Sequence, residues 1–182
     1  MPKYLGNVKE EIINVTRMML EDKGYDKLNI REIATNCNIG IGTFYNYFKS
    51  KSEIFSEIMR KEWENTLKSI DSNLDNKGDT INKLMFIYSK INEFMKITHG
   101  SGLNEFSMGT EKLDFSRIKE MKKGLRDELN ARVKSVISGK SEDSKLDTYS
   151  DLITRLFISY ASDGFEGIEA MKDFFELILK NY

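Results

Sequence analysis

Apolar residues recur at intervals of three and four positions along most of the chain, which is the spacing of one face of an α-helix. A clear example is the long stripe that begins at Phe55 and ends at Leu74. The sequence contains no sustained alternation of apolar and polar residues, the pattern typical of a half-buried strand. The single proline stands at position 2, ahead of the first predicted helix. The pattern therefore predicts an all-α fold.

The boundaries of the predicted helices follow from cap residues, glycines and breaks in the apolar stripes. Three pairs have capping-box spacing, in which the first side chain accepts a first-turn N–H and the glutamate reaches back. These pairs are Asn7–Glu10, Asn29–Glu32 and Ser50–Glu53. The predicted helices cover about 7–24, a short helix from 29, then 41–48, 50–75, 80–98, 118–139, 143–162 and 166–180. The helix at 80–98 is apolar nearly all round, so we expect it to be central.

The second and third helices have the dimensions of a helix-turn-helix unit. About four residues join them, and Asn38 and Gly40 lie in this turn. Asn tolerates the left-handed backbone of a tight turn, and Gly acts as an N-cap without a side chain. The sequence predicts a helix-turn-helix domain at residues 1–50 and a larger helical domain at residues 51–182.

The third helix carries aromatic side chains on more than one face. We expect Ile33, Ile39, Phe44 and Phe48 to form the core, which leaves an exposed face of the right size for the major groove of DNA. Tyr and Thr hydroxyls and Lys side chains are suitable phosphate partners. The candidate DNA-binding residues are Arg31, Ile41, Gly42, Thr43, Tyr45, Asn46, Tyr47, Lys49 and Lys51.

Periodicity alone leaves an alternative open for this helix, in which Tyr45 and Tyr47 are half-buried packing residues. The charge of this segment adds little support for DNA binding, because residues 30–51 form only a weakly positive patch. The whole chain has a formal net charge of −1, which argues against wholesale binding of a polyanion. Any contact with nucleic acid must therefore be local.

Composition bears on where the protein acts. The chain has no run of about 18 apolar residues that would span a membrane. The N-terminus lacks the apolar segment of a secretory signal. A lone cysteine, Cys37, cannot form an internal disulfide and fits a reducing compartment. These features predict a cytoplasmic protein.

The N-terminal fifty residues resemble the DNA-binding domain of the TetR/AcrR family of bacterial transcriptional regulators. The resemblance is specific as a set, although each piece alone is weak. A helix ends in a Lys-Gly-Tyr triplet, a capped helix follows, and a glycine-bounded aromatic helix leads into the start of a long helix. These pieces are Lys23–Tyr25, Ile30–Ala34, Gly42–Phe48 and Lys49–Phe55.

Five positions depart from the family pattern. Tyr47 stands where the family usually has His, and it can still donate to a phosphate. Cys37-Asn38 replaces the usual Ala-Gly, and Gly40 replaces the usual Ser cap. Ile41 replaces a residue that is often polar, which suggests an apolar base contact such as a thymine methyl group. The last departure leaves the operator sequence open.

The resemblance implies that the remaining chain binds a small effector and forms a homodimer through its last two helices. The apolar spacing agrees, since both helices carry heptad-like stripes suited to a four-helix bundle made by two chains. The candidate interface residues are Ile153, Leu156, Tyr160, Ile168, Met171, Phe175 and Ile178. The alternative is that both stripes belong to the core of one chain.

A second set of apolar residues could line an effector cavity, although such residues at helical spacing are more often core. The candidates are Trp63, Met85, Tyr88, Met95, His99 and Phe106. Few polar anchors accompany them, which favours a lipophilic effector. His99 has the alternative of an ordinary loop or core histidine.

Catalytic and metal chemistry finds little support in the sequence. The one His and one Cys fall in different predicted domains, and metal-ligand spacing is absent. We expect no enzyme activity, metal or cofactor. The sequence instead predicts a ligand-responsive DNA-binding repressor that acts as a homodimer on operator DNA. The alternatives are a transcriptional activator, or a helical ligand-binding or enzyme-like module whose helix-turn-helix is only structural.

Overall fold

The computed structural model describes residues 7–100, 115–138, 143–163 and 167–179, and these residues confirm the all-α prediction. A short 3₁₀ turn at Leu74–Lys77 joins the fourth and fifth helices. The helices are α1 (Val8–Lys23), α2 (Ile30–Asn36), α3 (Ile41–Tyr47), α4 (Lys51–Asn73), α5 (Thr80–Gly100), α6 (Phe115–Ile137), α7 (Asp143–Ser162) and α8 (Ile168–Leu179). None of them, over its described residues, is long and apolar enough to cross a membrane.

The described chain divides into two packing units, and the boundary lies inside α4. The first packing unit contains residues 7–62 together with 97–100, and the second contains residues 63–96 with the described residues from 115 onward. The division follows the apolar residues of α4. Ile54 to Met59 contribute to one core, whereas Trp63 to Ile70 contribute to the other. The functional domain boundary after residue 50 stays a prediction.

The first packing unit is a three-helix core closed by the first turns of α4. Its buried residues are Val8, Ile12, Ile13, Met19, Leu20, Tyr25, Leu28, Ile33, Ala34, Cys37, Phe44, Phe48, Ile54, Phe55, Ile58 and Met59. Three ion pairs also connect α1 with α4. They are Lys9–Glu57 at 3.3 Å, Glu10–Lys61 at 2.5 Å and Arg17–Glu62 at 3.5 Å. The start of α4 is therefore fixed to the helix-turn-helix unit by both apolar and ionic contacts.

Two of the three predicted caps are confirmed. Asn29 Oδ1 accepts the backbone N–H of Arg31 at 2.8 Å. Ser50 Oγ accepts the N–H of Glu53 at 3.1 Å. The Glu53 carboxylate accepts the N–H of Lys49 at 2.6 Å, one residue before the expected partner. This reciprocal pair orients the chain as it enters α4.

The predicted cap at Asn7 is wrong, because its side chain makes no cap hydrogen bond at the start of α1. Glu10, the other half of that pair, turns instead to the ammonium group of Lys61 on α4. A full charge on a neighbouring helix is a stronger partner for a carboxylate than one backbone N–H.

The second packing unit is built around α5, which confirms the central position expected for this helix. Ile87, Tyr88 and Ile91 are fully buried. The buried residues of this core are Trp63, Leu67, Ile70, Leu84, Met85, Ile87, Tyr88, Ile91, Phe94, Leu129, Val133, Ile137, Leu146, Phe157, Ala161, Met171 and Phe175. Two polar contacts join the described parts of α6 and α7. The buried Thr154 hydroxyl donates to Asn130 Oδ1 at 3.3 Å, and Lys134 forms an ion pair with Asp147 at 2.5 Å.

Candidate functional site

The turn between α2 and α3 has the geometry that its sequence predicts. Asn38 adopts a left-handed backbone with φ of 52°. The N–H of Ile39 donates to the carbonyl of Ala34 at 3.0 Å, and Ala34 is almost fully buried. Gly40 is the N-cap of α3. The small side chain at Ala34 and the tight turn hold α3 close against α2.

The burial pattern of α3 separates an inner face from an outer one. Phe44 is fully buried and Phe48 is 2% exposed. On the outer face Ile41 is 42% exposed, Tyr45 48% and Tyr47 42%. Gly42 and Asn46 are also exposed, whereas Thr43 is half-buried. The alternative in which both tyrosines are packing residues is therefore not favoured, because about half of each side chain is exposed.

The basic residues beside α3 differ in how far they are already engaged. Arg31 and Lys49 are exposed. Lys51 is half-buried, and its ammonium donates to the Tyr25 carbonyl at 3.2 Å and lies 4.3 Å from the centre of the Tyr25 ring. An ammonium group has three donors, so Lys51 retains capacity for a phosphate. Replacement of Lys51 would also remove its contacts with Tyr25 and so destabilise the first packing unit. Lys49 is therefore the better position at which to test a phosphate contact.

Electrostatics around α3 are mildly positive. Residues 30–51 carry three basic side chains and one acidic side chain, Glu32. Glu32 forms an ion pair with Lys23 of α1, which offsets the negative charge of Glu32.

Cys37 adds no charge near α3. Burial raises the pKa of its thiol, so this residue stays protonated and acts as an apolar core residue. The exposed surface next to α3 therefore carries its positive charge on Arg31 and Lys49.

Gly42 is exposed in α3, and nothing in the described fold requires a glycine there. A Cβ atom built on Gly42 meets no atom within 4 Å, and its φ is not positive. Glycine inside a helix costs about 0.5–1 kcal/mol relative to alanine. Glycine at this position is therefore explained if another backbone or a ligand approaches α3 closely there, because a Cβ atom would be in the way.

We predict that Gly42→Ala stabilises the fold yet weakens operator binding. The melting temperature should rise, because the gain is about 0.5–1 kcal/mol. Affinity should fall about tenfold or more, the effect of ~1–3 kcal/mol of steric overlap. Gly124→Ala in α6 is a matched control, because its added Cβ also meets nothing within 4 Å. Calorimetry and operator titration check both variants, and equal DNA binding by the two would remove Gly42 from the interface.

The predicted effector residues that can be assessed lie in the core of the second packing unit. Trp63, Met85 and Tyr88 are buried, and Met95 is half-buried. The His99 side chain and Phe106 lie outside the described residues, so these two remain predictions. The Trp63 ring lies 5.1 Å from the ring of Phe94. These contacts are those of core residues, and a role in effector binding stays a prediction for all of them.

Sequence reasoning missed two polar residues beside this apolar set. Trp63 Nε1 donates to Glu128 Oε2 on α6 at 2.7 Å. Asn92 is 7% exposed, and it lies between Tyr88 and Met95 on the same stripe of α5. The stripe 85-88-92-95 has the same 3-4-3 spacing as the apolar positions, so the spacing could have located Asn92. The contact between Trp63 and Glu128 spans 65 residues and leaves no local pattern.

The predicted interface residues on α7 and α8 fall into four groups. Met171 and Phe175 are buried in the core of their own chain, as in the alternative drawn from the sequence. Ile153 and Leu156 are half-buried, whereas Tyr160 and Ile168 are exposed. The side chain of Ile178 lies outside the described residues. Other apolar side chains are more exposed: Leu152 at 58%, Phe174 at 45% and Leu177 at 68%. An interface role stays a prediction for every residue of the set.

Comparison with known proteins agrees with this geometry. Residues 12–58 match the family described as bacterial regulatory proteins, tetR family. The match covers α2 and α3, most of α1 and the beginning of α4. The predicted core and the predicted DNA-binding residues of the helix-turn-helix unit fall inside it.

Two relatives from Bacillus subtilis strain 168 are similar over part of their length. An uncharacterized HTH-type transcriptional regulator, YuxN, is 36% identical over 73 residues, which are 40% of this chain and 25% of YuxN. The fatty acid metabolism regulator protein is 25% identical over 89 residues, which are 49% of this chain and 43% of that protein. The matched regions therefore span less than half of each relative.

Solved structures extend the similarity of the fold. The chain resembles the transcriptional regulator FadR from Bacillus subtilis, solved in complex with stearoyl-CoA, with a TM-score of 0.66. The two are 18% identical, and the alignment covers 96% of this chain and 99% of FadR. At this identity the comparison concerns the fold alone. The family match and the helix-turn-helix geometry together show that residues 12–58 form a domain of the tetR family of bacterial regulatory proteins.

Proposed function

We propose that the protein is a DNA-binding transcriptional repressor that releases its operator when a lipophilic small molecule binds. The observation that carries this proposal is the outer face of α3. Ile41, Tyr45 and Tyr47 are exposed there above a fully buried Phe44, inside the domain that defines the family. The core beneath α3 contains Phe44 and Phe48 instead, so packing in this core does not account for the exposed side chains. A DNA groove would supply the missing partner.

Each exposed residue has a chemical role in this proposal. The hydroxyls of Tyr45 and Tyr47 and the ammonium group of Lys49 donate to phosphates, which positions the helix without reading sequence. Ile41, Thr43 and Asn46 face base edges in the major groove. Asn pairs well with adenine, and the Ile and Thr methyl groups fit the methyl group of thymine. Specificity would then come from residues near both ends of α3.

The proposed assembly is a homodimer that forms through α7 and α8. The support comes from exposed apolar residues on both helices. On α8, Ala170, Phe174 and Leu177 share one face at spacings of four and three. On α7, Leu152 and Tyr160 lie on one face, two turns apart. A two-fold dimer would favour a palindromic operator with half-sites about 34–36 Å, or a multiple of this, apart.

We propose a lipophilic effector because the core of the second packing unit consists of apolar and aromatic side chains. The fold neighbour FadR was solved with stearoyl-CoA, a molecule with a long apolar chain. We infer a ligand of mainly apolar character for this chain as well. The protein would act in the bacterial cytoplasm, where its DNA is found. Catalysis forms no part of the proposal, since the relatives are transcriptional regulators.

A binding-site selection from random duplexes tests the DNA-binding part of the proposal. The wild type should enrich a palindrome. Ile41→Ala should alter the preferred base at one position per half-site, by ~1–3 kcal/mol at the matched base. Tyr45→Phe should weaken all sequences alike while leaving the preferred motif unchanged, because it removes a phosphate contact.

The two variants act as controls for each other, since both change one exposed residue of α3. An unchanged motif for Ile41→Ala would exclude Ile41 from base recognition. Failure of the wild type to enrich any motif would contradict the proposed function as a whole. Circular dichroism should show the same helical content for all three proteins.

A further inference from the structure

The core of the second packing unit contains one polar side chain whose burial the fold does not explain. Asn92 is 7% exposed, and its amide oxygen Oδ1 has no hydrogen-bond partner among the described residues. Nearly all buried polar atoms in native proteins find a partner in the protein or in bound solvent. Leaving one without a partner destabilises the fold, so this oxygen needs an explanation.

The surroundings of Asn92 on α5 are apolar. Ile91 precedes it and Phe94 lies two residues after it, and both are buried, whereas Glu93 between Asn92 and Phe94 is exposed. One turn earlier lies the fully buried Tyr88, whose ring packs 5.4 Å from that of Phe157 on α7. Burial raises the pKa of Tyr88, with a smaller contribution from Tyr160, as expected where water has little access.

The hydroxyl of Ser89 on the same helix is already engaged elsewhere. Ser89, three residues before Asn92, donates its hydroxyl to the carbonyl of Phe86 at 2.8 Å. Asn92 also stands in the middle of the stripe formed by Met85, Tyr88 and Met95, the apolar residues predicted to contact an effector. It is therefore the one polar position of that stripe, in the part of α5 whose side chains the structure describes.

We propose that Asn92 Oδ1 is the polar recognition point of the effector site and accepts a hydrogen bond from the ligand. This inference rests on the effector-binding part of the proposed function and adds a chemical class to it. The ligand would be an apolar molecule that carries a hydrogen-bond donor, such as an alcohol, a phenol or a secondary amide. A molecule with acceptors only, such as an ether or ester, would leave the amide oxygen unsatisfied and would bind more weakly.

Matched pairs of probes test this inference on the full-length protein. Each pair contains one alcohol or phenol and its own methyl ether, for example 1-decanol and 1-methoxydecane, or 4-octylphenol and its methyl ether. Binding is followed by the fluorescence of Trp63, the single tryptophan of the chain. The donor-bearing member should bind about three- to tenfold more tightly, which is the size of one net hydrogen bond.

Asn92→Leu removes the acceptor and keeps a side chain of similar size. In this variant the two members of a pair should bind equally, and the ether should bind at least as tightly as it binds the wild type. Asn82→Leu is the matched control, because Asn82 is an exposed residue of the same helix. It should keep the preference of the wild type. If Asn92→Leu does not fold, as judged by circular dichroism, Asn92→Ala makes the same comparison.

Three results would overturn the inference. They are equal binding of both pair members to the wild type, a preference that survives in Asn92→Leu, and no binding of any pair. Operator affinity measured on the same samples separates this inference from the proposed function. If every variant binds the operator while the pairs fail, only the role of Asn92 falls. If the wild type does not bind DNA, the proposed function falls whatever the ligands do.

Discussion

Phe174→Asp is expected to convert the dimer into monomers and to lower operator affinity by about 10²–10⁴-fold. The reason is that each monomer would hold only one recognition helix, and the second half-site would lose the effective concentration that the dimer provides. Phe174 is 45% exposed, so a carboxylate there should leave the fold intact. In the dimer the same carboxylate would be buried against an apolar surface without a partner, which is strongly unfavourable.

The neighbouring residue shows why the position matters. Phe175 is 2% exposed and lies 5.8 Å from the ring of Phe157 in the core. Phe175→Asp would bury a charge inside the monomer and unfold it, so that variant would say nothing about assembly. Lys172→Asp is the better control, since Lys172 is exposed on the polar side of α8. It changes the charge more than Phe174→Asp does and should remain dimeric.

Sedimentation equilibrium distinguishes the outcomes for these variants. Phe174→Asp should sediment as a monomer with the helical content of the wild type, and Lys172→Asp as a dimer. A folded Phe174→Asp protein that remains a dimer would place the interface elsewhere. Leu177→Asp, at a residue that is 68% exposed, repeats the test one turn along the same face.

Effector and operator are expected to exclude each other by a large factor. A ligand that moves the protein from mostly DNA-competent to mostly incompetent must prefer the second form by roughly 10⁴-fold, about 5.5 kcal/mol. Burial of a few hundred Å² of apolar ligand surface at ~25 cal/mol per Å² supplies energy of that order, if the site differs between the two forms. Linkage requires the operator to weaken the ligand by the same factor.

Helix α4 is the element through which we expect this coupling to act. Its first turns contribute Phe55, Ile58 and Met59 to the core of the first packing unit, and they share ion pairs with α1. Its later turns contribute Trp63 and Leu67 to the other core. A ligand that displaces the later turns would thus act on a helix that is anchored beside the proposed DNA-binding surface.

Fluorescence of Trp63 measures the coupling directly, because the indole donates to Glu128 and its ring packs on Phe94. Ligand affinity should be measured with operator duplex, with scrambled duplex and without DNA. Only the operator should weaken the ligand. Equal affinity in all three conditions would show that a ligand bound near Trp63 is not the switch.

Local patterns account for the parts of the fold that were predicted correctly. The cap at Asn29, the left-handed Asn38 and the bounds of α7 depend on residues close in sequence, where backbone preferences dominate. Contacts between distant residues were not predictable in this way. At the start of α1, Glu10 does not reach back to Asn7 because its carboxylate binds Lys61, 51 residues away. Lys51 likewise contacts a carbonyl 26 residues away.

The face of α8 shows a second limit of sequence patterns. Phe174 and Phe175 are adjacent and equally apolar, and their side chains point about 100° apart on a helix. Periodicity therefore allows either one to face the core, and only packing against Phe157 identifies Phe175 as the buried residue. Asn92 is the reverse case. Its side chain is polar, so a search for apolar residues omits this position although it is buried.

The most direct test of the central claim is the affinity of the wild type for its selected palindrome and for a scrambled duplex of equal length and composition. At about 150 mM salt we predict a preference of at least about 10³-fold, with one footprint that covers both half-sites. Tyr45→Ala combined with Lys49→Ala should keep the fold and lose most of this affinity. Equal binding to both duplexes, with no footprint, would contradict the assignment of α3 as a sequence-reading helix.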